Sequence, residues 1–146
     1  MKGNEVFFDT NIFVYAVDTY DGAKHGVARS LINSVFTAST NGCVSNQVLA
    51  ELYCVLTSKL KRVMDPDTAK SAVLGIISSN NWKKINYTDA TVRLALSFSS
   101  KKGSDIWDSL IAATMLENSI TEIYTENISD FAGIPGITAR NPFAKI

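Results

Sequence analysis

The sequence is poor in the nitrogen and sulfur ligands from which most transition-metal sites are built. Its 146 residues include one histidine, two cysteines and three prolines. A structural zinc site needs four clustered ligands of these types, so His25, Cys43 and Cys54 are too few and too scattered to form one. We expect the two cysteines to be buried free thiols of a reducing compartment rather than a disulfide.

Long apolar runs are also missing. The run before Asp9 contains only Val6, Phe7 and Phe8, whereas a signal peptide needs about 7–15 apolar residues and a membrane span about 20. The sequence therefore predicts a cytoplasmic protein that does not contact a membrane. Hydrophobic residues make up 46% and charged residues 19% of the chain, which excludes a disordered tail. With no internal repeat or compositional break, residues 1–146 are expected to form one domain.

Net charge is zero, because 14 basic residues balance 14 acidic ones, but the two signs are separated along the chain. Residues 59–102 contain nine bases and three acids, and residues 103–131 contain six acids and no base. This pattern fits either two solvated helical faces of opposite sign or a basic rim beside an acidic pocket. The second arrangement suits a polyanion held over bound cations. The nine bases are Lys59, Lys61, Arg62, Lys70, Lys83, Lys84, Arg93, Lys101 and Lys102.

Strand and helix patterns alternate along the chain. Apolar residues at three- and four-residue spacing predict amphipathic helices, and short apolar runs predict buried strands. A turn is predicted at Asp9-Thr10-Asn11, directly after the first strand. Strands separated by helices indicate an α/β domain with a mainly parallel sheet covered by helices on both faces. The predicted strands are 6–8, 43–45, 82–86, 122–125 and 137–139, and the predicted helices are 23–38, 46–60, 65–77, 88–98 and 104–117.

Several acids fall where such a sheet binds ligands, at the carboxyl ends of its strands. Asp9 follows the first strand, although it could simply cap a short helix. Glu51 shares a helix side with Val48 and Val55, so it needs a partner, and a salt bridge to Lys59 or Arg62 would be the structural explanation. Asp130 follows the strand that ends at Thr125, where a cap or turn role is equally natural.

Asp105 and Asp108 lie three residues apart and so share one face of the most apolar helix. The helix dipole accounts for one acid in the first turn. Two like charges about 4 Å apart repel by about 4 kcal/mol at an effective dielectric of 20, and a divalent cation would reverse the sign of that interaction. Because no His or Cys accompanies the acids, Mg²⁺ or Mn²⁺ is the expected ion. A carboxylate-held Mg²⁺ is suited to hydrolysing phosphate esters.

Four blocks in register resemble the PIN-domain nucleases, particularly the VapC-type toxins of prokaryotic toxin–antitoxin pairs. The first two are Phe8-Asp9-Thr10-Asn11 after a short strand and Ser45 six residues before Glu51. The other two, with a closing segment, span nearly the rest of the chain. They are Trp107-Asp108-Ser109-Leu110-Ile111-Ala112-Ala113, Thr125-Glu126-Asn127-Ile128-Ser129-Asp130-Phe131 and the closing Ala139-Arg140-Asn141-Pro142-Phe143.

The resemblance implies a three-layer α/β/α domain with about five strands and a metal-dependent endoribonuclease acting on single-stranded RNA. It also implies a homodimer and a small cognate antitoxin. Carried over by position, the acidic metal ligands and catalytic residues are Asp9, Glu51, Asp108 and Asp130. Asn11 and Ser45 would orient the acids or a metal-bound water, and Thr125 belongs to the fourth block. Asp105 is not a usual family position and is ranked as an auxiliary acid or a helix cap.

One departure from the family pattern concerns the second metal. Many members carry Asp where this chain has Asn127, a weaker neutral ligand, so one-metal and two-metal chemistry both stay open. Hydrolysis by water rather than by the ribose hydroxyl predicts 5′-phosphate and 3′-hydroxyl ends. Bases of the 59–102 stretch are candidate RNA contacts. Trp82 and Tyr87 are candidate stacking surfaces, although core packing is the more common role for such aromatics.

Other functions share parts of this pattern. A haloacid-dehalogenase-like phosphatase needs a second Asp at the position of Asn11. A receiver-type phospho-acceptor needs an acidic pair at the first strand and a lysine at a later strand end, and neither is evident in this sequence. No Gly-x-Gly-x-x-Gly opens a helix, so an organic dinucleotide cofactor is not expected. A scaffold that binds RNA or protein without cleaving it stays open as the alternative from a different class.

Overall fold

The structure, a computed structural model, describes residues 4–146, with the side chain of Lys102 excepted. Residues 1–3 lie outside the described residues. They belong to the predicted domain and to the N-terminal segment that was considered as a signal peptide. Five parallel strands form one sheet in the order β3-β2-β1-β4-β5. The strands are β1 (Val6–Phe8), β2 (Gly42–Ser45), β3 (Trp82–Ile85), β4 (Glu122–Tyr124) and β5 (Thr138–Arg140).

Six α-helices connect the strands in the part of the chain that the structure describes. They are α1 (Thr10–Val17), α2 (Gly22–Phe36), α3 (Asn46–Ser58), α4 (Pro66–Ile77), α5 (Asp89–Lys102) and α6 (Ile106–Glu117), and a 3₁₀ turn covers Ile128–Asp130. From β1 to β3 the chain moves outward on one side of β1, and it then crosses to β4 on the other side. Right-handed crossovers in opposite directions place α1–α4 on one face and α5–α6 on the other. The predicted three-layer α/β/α class is confirmed.

Local sequence signals set most helix starts. Asp65 caps α4, whose first residue is Pro66, and Thr88 begins α5 with a capping box to Thr91. The predicted helix boundaries differ from the observed ones by up to four residues, the most at the end of α5, and two of the errors lie at residues that cap helices. The segment 9–11 is not a turn, because Asp9 caps α1 and Thr10 is already helical. The last helix begins at Ile106 rather than Ser104, because Asp105 is its N-cap.

The core lies between the sheet and both helix layers. Phe8 in β1 contacts Trp82 edge-on at 5.0 Å and Tyr124 at 5.3 Å between ring centroids. A smaller cluster of Ala95, Leu110 and Ala113 joins α5 to α6. Cys43 is buried and free as predicted, but Cys54 is exposed on α3, so the expectation of two buried thiols is wrong for Cys54. None of the helices in the described chain is long and apolar enough to span a membrane.

Candidate active site

The candidate site lies where the strand order reverses. β1 pairs with β2 on one side and with β4 on the other, and these two neighbours are reached by crossovers of opposite direction. Open α/β sheets bind ligands at this point, beyond the carboxyl ends of the strands. A cleft of about 440 Å³ opens there, and Asp9, Glu51, Asp108 and Asn127 all line it. Folding therefore brings three of the predicted acids to one cleft.

Asp9 is held in the cleft by hydrogen bonds from two strand ends. Its Oδ1 accepts from the Thr10 backbone N–H at 2.8 Å, and its Oδ2 accepts from the Thr125 hydroxyl at 2.8 Å. Asn11 Nδ2 adds a longer contact of 3.4 Å to Oδ2. Burial raises the pKa of the Asp9 carboxyl, the bonds from Thr125 and Thr10 oppose that shift, and the negative charge of Glu51 adds to it.

Glu51 is half-buried on α3 and is bound at both carboxylate oxygens. The Thr10 hydroxyl donates to Oε2 at 3.0 Å, and Gln47 Nε2 donates to Oε1 at 3.0 Å. Gln47 Nε2 also donates to the Trp107 carbonyl at 3.1 Å, which ties α3 to the start of α6. The salt bridge to Lys59 or Arg62 considered from the sequence is absent from the ion pairs of the described residues.

Asp108 lies in the first turn of α6 and faces the other acids. Burial, followed by the negative charges of Asp130 and Asp9, raises the pKa of its carboxyl to about 7. Asp105 and Glu51 add smaller contributions in the same direction. The raised pKa therefore reflects burial first, with the negative charges of the neighbouring acids adding to it.

The remaining predicted residues occupy the edge of the cleft or support its loops. Asp130 is exposed on the 3₁₀ turn, yet its charge reaches both Asp9 and Asp108. The Asn127 backbone N–H donates to Thr125 Oγ1 at 3.1 Å. Asn11 Oδ1 accepts from the Glu126 N–H at 3.2 Å, so Asn11 connects α1 to the loop after β4.

Asp105 and Ser45 act as helix caps. Asp105 Oδ1 accepts from the Trp107 N–H at 2.7 Å, and Ser45 Oγ accepts from the Val48 N–H at 3.2 Å. Ser45 is buried and forms this bond to α3 rather than one to an acid. Ser45 therefore affects Glu51 by fixing the start and the direction of α3, the helix that carries Glu51.

Two of the predicted bases whose side chains the structure describes reach the cleft. Lys59 and Lys61 line it, at and beyond the end of α3. Lys83 pairs with Glu5 at 3.1 Å, and Lys84 donates to the Ile77 carbonyl at 2.9 Å, so both stabilise the fold. Among the described side chains, the basic rim inferred from charge placement therefore consists of Lys59 and Lys61 rather than of the whole 59–102 stretch.

The PIN domain family matches residues 6–135 of this chain. The chain belongs to the PIN domain family. This confirms the resemblance drawn from the four sequence blocks. No curated protein matches the sequence directly.

Solved structures of PIN proteins share the fold at low sequence identity. VapC20 of Mycobacterium tuberculosis, a sarcin-ricin loop cleaving toxin, is 20% identical with a TM-score of 0.68, over 87% of this chain and 95% of that one. VapBC2 from Rickettsia felis, bound to a promoter DNA fragment, is 23% identical with a TM-score of 0.64, over 94% and 98%. DNA-bound VapBC from Salmonella typhimurium is 19% identical with a TM-score of 0.67, over 96% and 99%. Likeness at these identities establishes the fold.

The carboxylates of Asp9, Glu51 and Asp108 suit a hard divalent cation by their chemistry, although they do not converge on a single point. Within residues 4–146, no group of three or more Asp, Glu, His or Cys side chains is close enough to hold one ion. The cleft nevertheless offers carboxylate oxygens from Asp9, Glu51 and Asp108, and burial together with the neighbouring negative charges raises the pKa of Asp108. All-oxygen donors of this kind suit Mg²⁺ or Mn²⁺.

Sequence reasoning missed two polar residues that position Glu51. Thr10 was assigned to a turn, and Gln47 was not considered. Gln47 stands four residues before Glu51 on a helix, a spacing at which side chains meet, so that signal was available. The contact from Thr10 joins residues 41 positions apart and depends on how α1 packs against α3.

Proposed function

We propose that this PIN domain is a Mg²⁺- or Mn²⁺-dependent endoribonuclease that cleaves single-stranded RNA, as the toxin of a VapBC-type pair. One observation carries the proposal. Asp9, Glu51 and Asp108 line one cleft at the switch point of the sheet, and none of them has an ion-pair partner within the described chain. Unpaired acids that repel one another destabilise the domain, so a cation-binding role accounts for their presence.

The residues in and around the cleft have different proposed roles. Asp9, Glu51 and Asp108 are the proposed metal ligands, with Asp130 as a fourth acid at the edge. When bound there, Mg²⁺ or Mn²⁺ would neutralise phosphate oxygens and would activate water as a nucleophile. Thr125 and Asn11 orient Asp9, while Thr10 and Gln47 orient Glu51. These four are positioning residues.

Lys59 and Lys61 supply the electrostatic attraction for RNA. Both line the cleft that contains the acids, so a phosphodiester drawn toward them comes close to Asp9 and Glu51. Lys61 is itself held, because its Nζ donates to the Tyr20 hydroxyl at 2.7 Å. Weakening of RNA binding by salt is the expected signature of such contacts.

Cleavage of a single-stranded RNA in the presence of Mn²⁺ tests the proposal. Asp9→Asn keeps the side-chain shape and removes the charge, so we expect a loss of rate on the order of 100-fold or more. Asp67→Asn, an exposed acid in the first turn of α4, is the matched control and should cleave like the wild type.

The products identify the chemistry. Attack by water predicts 5′-phosphate and 3′-hydroxyl ends, whereas 2′,3′-cyclic phosphate ends would show that the ribose hydroxyl is the nucleophile. Equal cleavage by the wild type and Asp9→Asn would remove Asp9 from the mechanism. RNA binding without cleavage by the wild type would favour the alternative function, a PIN scaffold that binds RNA or protein.

A small antitoxin and a second copy of the chain are the proposed protein partners, in the cytoplasm. The support is that structural neighbours of this chain were solved as VapBC assemblies. Co-expression with the reading frame immediately upstream, followed by sedimentation of the purified complex, tests both partners. A chain that stays monomeric and is not inhibited by that neighbour would contradict this part alone.

A further inference from the structure

A second cavity adjoins the acidic cleft and shares Glu51 with it. It has a volume of about 650 Å³, larger than the cleft itself, and it lies between the start of α3, the loop after β3 and the start of α6. Glu51 lines both spaces, and Trp107 in the cavity wall directly precedes Asp108 in the chain. A polymer bound at the acids therefore has this cavity as an adjacent space.

Two exposed aromatic rings line the cavity. Trp107 is 56% exposed and Tyr87 is 38% exposed, although both carry large apolar surfaces. The backbone of Trp107 is fixed at both polar atoms, because its N–H donates to Asp105 and its carbonyl accepts from Gln47. An indole on a fixed backbone beside a cleft is suited to stacking against a flat, partly apolar ligand.

Amide groups form the polar part of the wall. Asn46, Gln47 and Asn86 line the cavity, and each amide can both donate and accept hydrogen bonds. Gln47 uses its Nε2 twice, but its Oε1 is buried and has no hydrogen-bond partner within residues 4–146. A buried carbonyl oxygen without a donor is costly, so Gln47 would be stabilised by any donor that reaches its Oε1.

The charge of the wall distinguishes between parts of a nucleotide. No Lys or Arg is among the lining residues of the cavity in the described chain, and Glu51 contributes a negative charge. Phosphate is therefore disfavoured there, while Lys59 and Lys61 favour phosphate in the neighbouring cleft. A neutral, planar group with N–H donors on its edge fits the cavity, and nucleobases are groups of this kind.

We propose that this cavity is a nucleobase subsite, in which Trp107 and Tyr87 stack on the base of a nucleotide next to the cleaved bond. The Asn46, Gln47 and Asn86 amides contact the edge of that base. The inference rests on the proposed function, since it assigns one nucleotide of the RNA to a place beside the acids. It gives the enzyme a sequence preference at that nucleotide, because amides discriminate between base edges.

Tryptophan fluorescence tests the contact without requiring cleavage. The chain has two tryptophans, and Trp82 is buried in the core, so a ligand-dependent change reports Trp107. We expect a single-stranded oligoribonucleotide, titrated in EDTA, to quench the fluorescence of the wild type. Trp107→Phe, which keeps only Trp82, should bind the same labelled RNA by anisotropy with no quenching. An abasic nucleotide at the stacked position should abolish quenching in the wild type.

Cleavage kinetics give the energetic test. Stacking of one base on an aromatic residue predicts that Trp107→Ala lowers kcat/KM by about 5- to 150-fold, and that Trp107→Phe recovers part of the loss. On the substrate with the abasic nucleotide, the wild type and Trp107→Ala should be equally slow. Tyr87→Ala should show a smaller effect in the same direction, and Asp67→Asn should show none.

Three results would overturn the subsite. The first is RNA that binds and is cleaved by the wild type without quenching Trp107, which leaves the nuclease intact and removes only this inference. The second is Trp107→Ala cleaving all substrates at the wild-type rate. The third is a combination of two findings: RNA does not quench the fluorescence of the wild type, and sedimentation shows a dimer for the wild type that dissociates in Trp107→Ala. That result would assign the cavity to a second copy of the chain. Absence of any RNA binding or cleavage would instead contradict the proposed function and the subsite together.

Discussion

Replacing Asp108 by asparagine should stabilise the metal-free protein, and only above a certain pH. The pKa of this carboxyl rises from an ordinary 3.8 to about 7 in the folded protein. Between these values the folded state binds more protons than the unfolded state, so stability falls as pH rises through that window. Below pH 3.8 the carboxyl is protonated in both states and has no effect, whereas above pH 7 the full destabilisation is present.

The size of the effect follows from the pH interval. From pH 5 to pH 7 is two units, and at 1.36 kcal/mol per unit this corresponds to about 2.7 kcal/mol. Because Asp108 is only half-buried, solvent screening lowers that figure, and we expect about 1–2 kcal/mol. Asp108→Asn lacks the titrating group, so the difference between its free energy of unfolding and that of the wild type should be larger at pH 8 than at pH 5 by this amount.

Urea unfolding in EDTA at pH 5 and pH 8 measures this difference. Asp67→Asn removes a carboxylate from the first turn of another helix, where it is exposed, and it controls for the loss of a helix-dipole interaction. The control should follow the pH dependence of the wild type. If Asp108→Asn and the wild type lose stability in parallel from pH 5 to pH 8, the pKa of Asp108 is not raised in the folded protein and the electrostatic argument for the cleft is wrong.

Three further outcomes follow from particular contacts. Mn²⁺ at 100 times its Kd should raise the stability of the wild type by about 2.7 kcal/mol and that of Asp9→Asn by much less, as read from thermal unfolding. Thr125→Val should cost about 1–3 kcal/mol by leaving buried Asp9 without its 2.8 Å donor, and Thr125→Ser should recover most of it in urea titrations. Gly42→Ala should cost about 1–3 kcal/mol, because a Cβ there would lie 2.6 Å from the Val35 methyls. Gly26→Ala, with no atom within 4 Å on α2, should instead stabilise by about 0.5–1 kcal/mol; equal effects at both glycines would contradict the packing argument.

The order of strands and helices was predictable because each element carries its own periodic signal. Alternating short apolar runs and amphipathic segments gave all five strands and five of the six helices of the described chain, with boundaries within a few residues. Helix α1 was considered only as a short helix that Asp9 could cap, an alternative that the structure confirms, because Asp9-Thr10-Asn11 is equally typical of a turn and of a helix start. Only packing of Ile12 and Phe13 into the core, where both are buried, distinguishes these two conformations.

The same limit applies to the two aromatics considered for stacking. Trp82 is 1% exposed and belongs to the core, so the stacking role suggested for it is wrong, while Tyr87 is exposed. Both follow short polar stretches, and sequence pattern contains no information on which ring meets solvent. Trp107 was noticed only as part of a motif, because the apolar sequence of α6, the helix to which it belongs, gives no sign of its exposure.

By itself, the sequence determined the class of the fold, the family and the identities of the acids, because these depend on local periodicity and on residue type at given spacings. Tertiary structure alone decided which of those acids line one cleft, which lysines line it with them and which polar groups donate to them. Asp9 and Thr125 are 116 residues apart, yet their oxygens lie 2.8 Å from each other. Such contacts arise from the sheet order, in which β4 pairs beside β1, and no signal confined to either segment encodes that pairing.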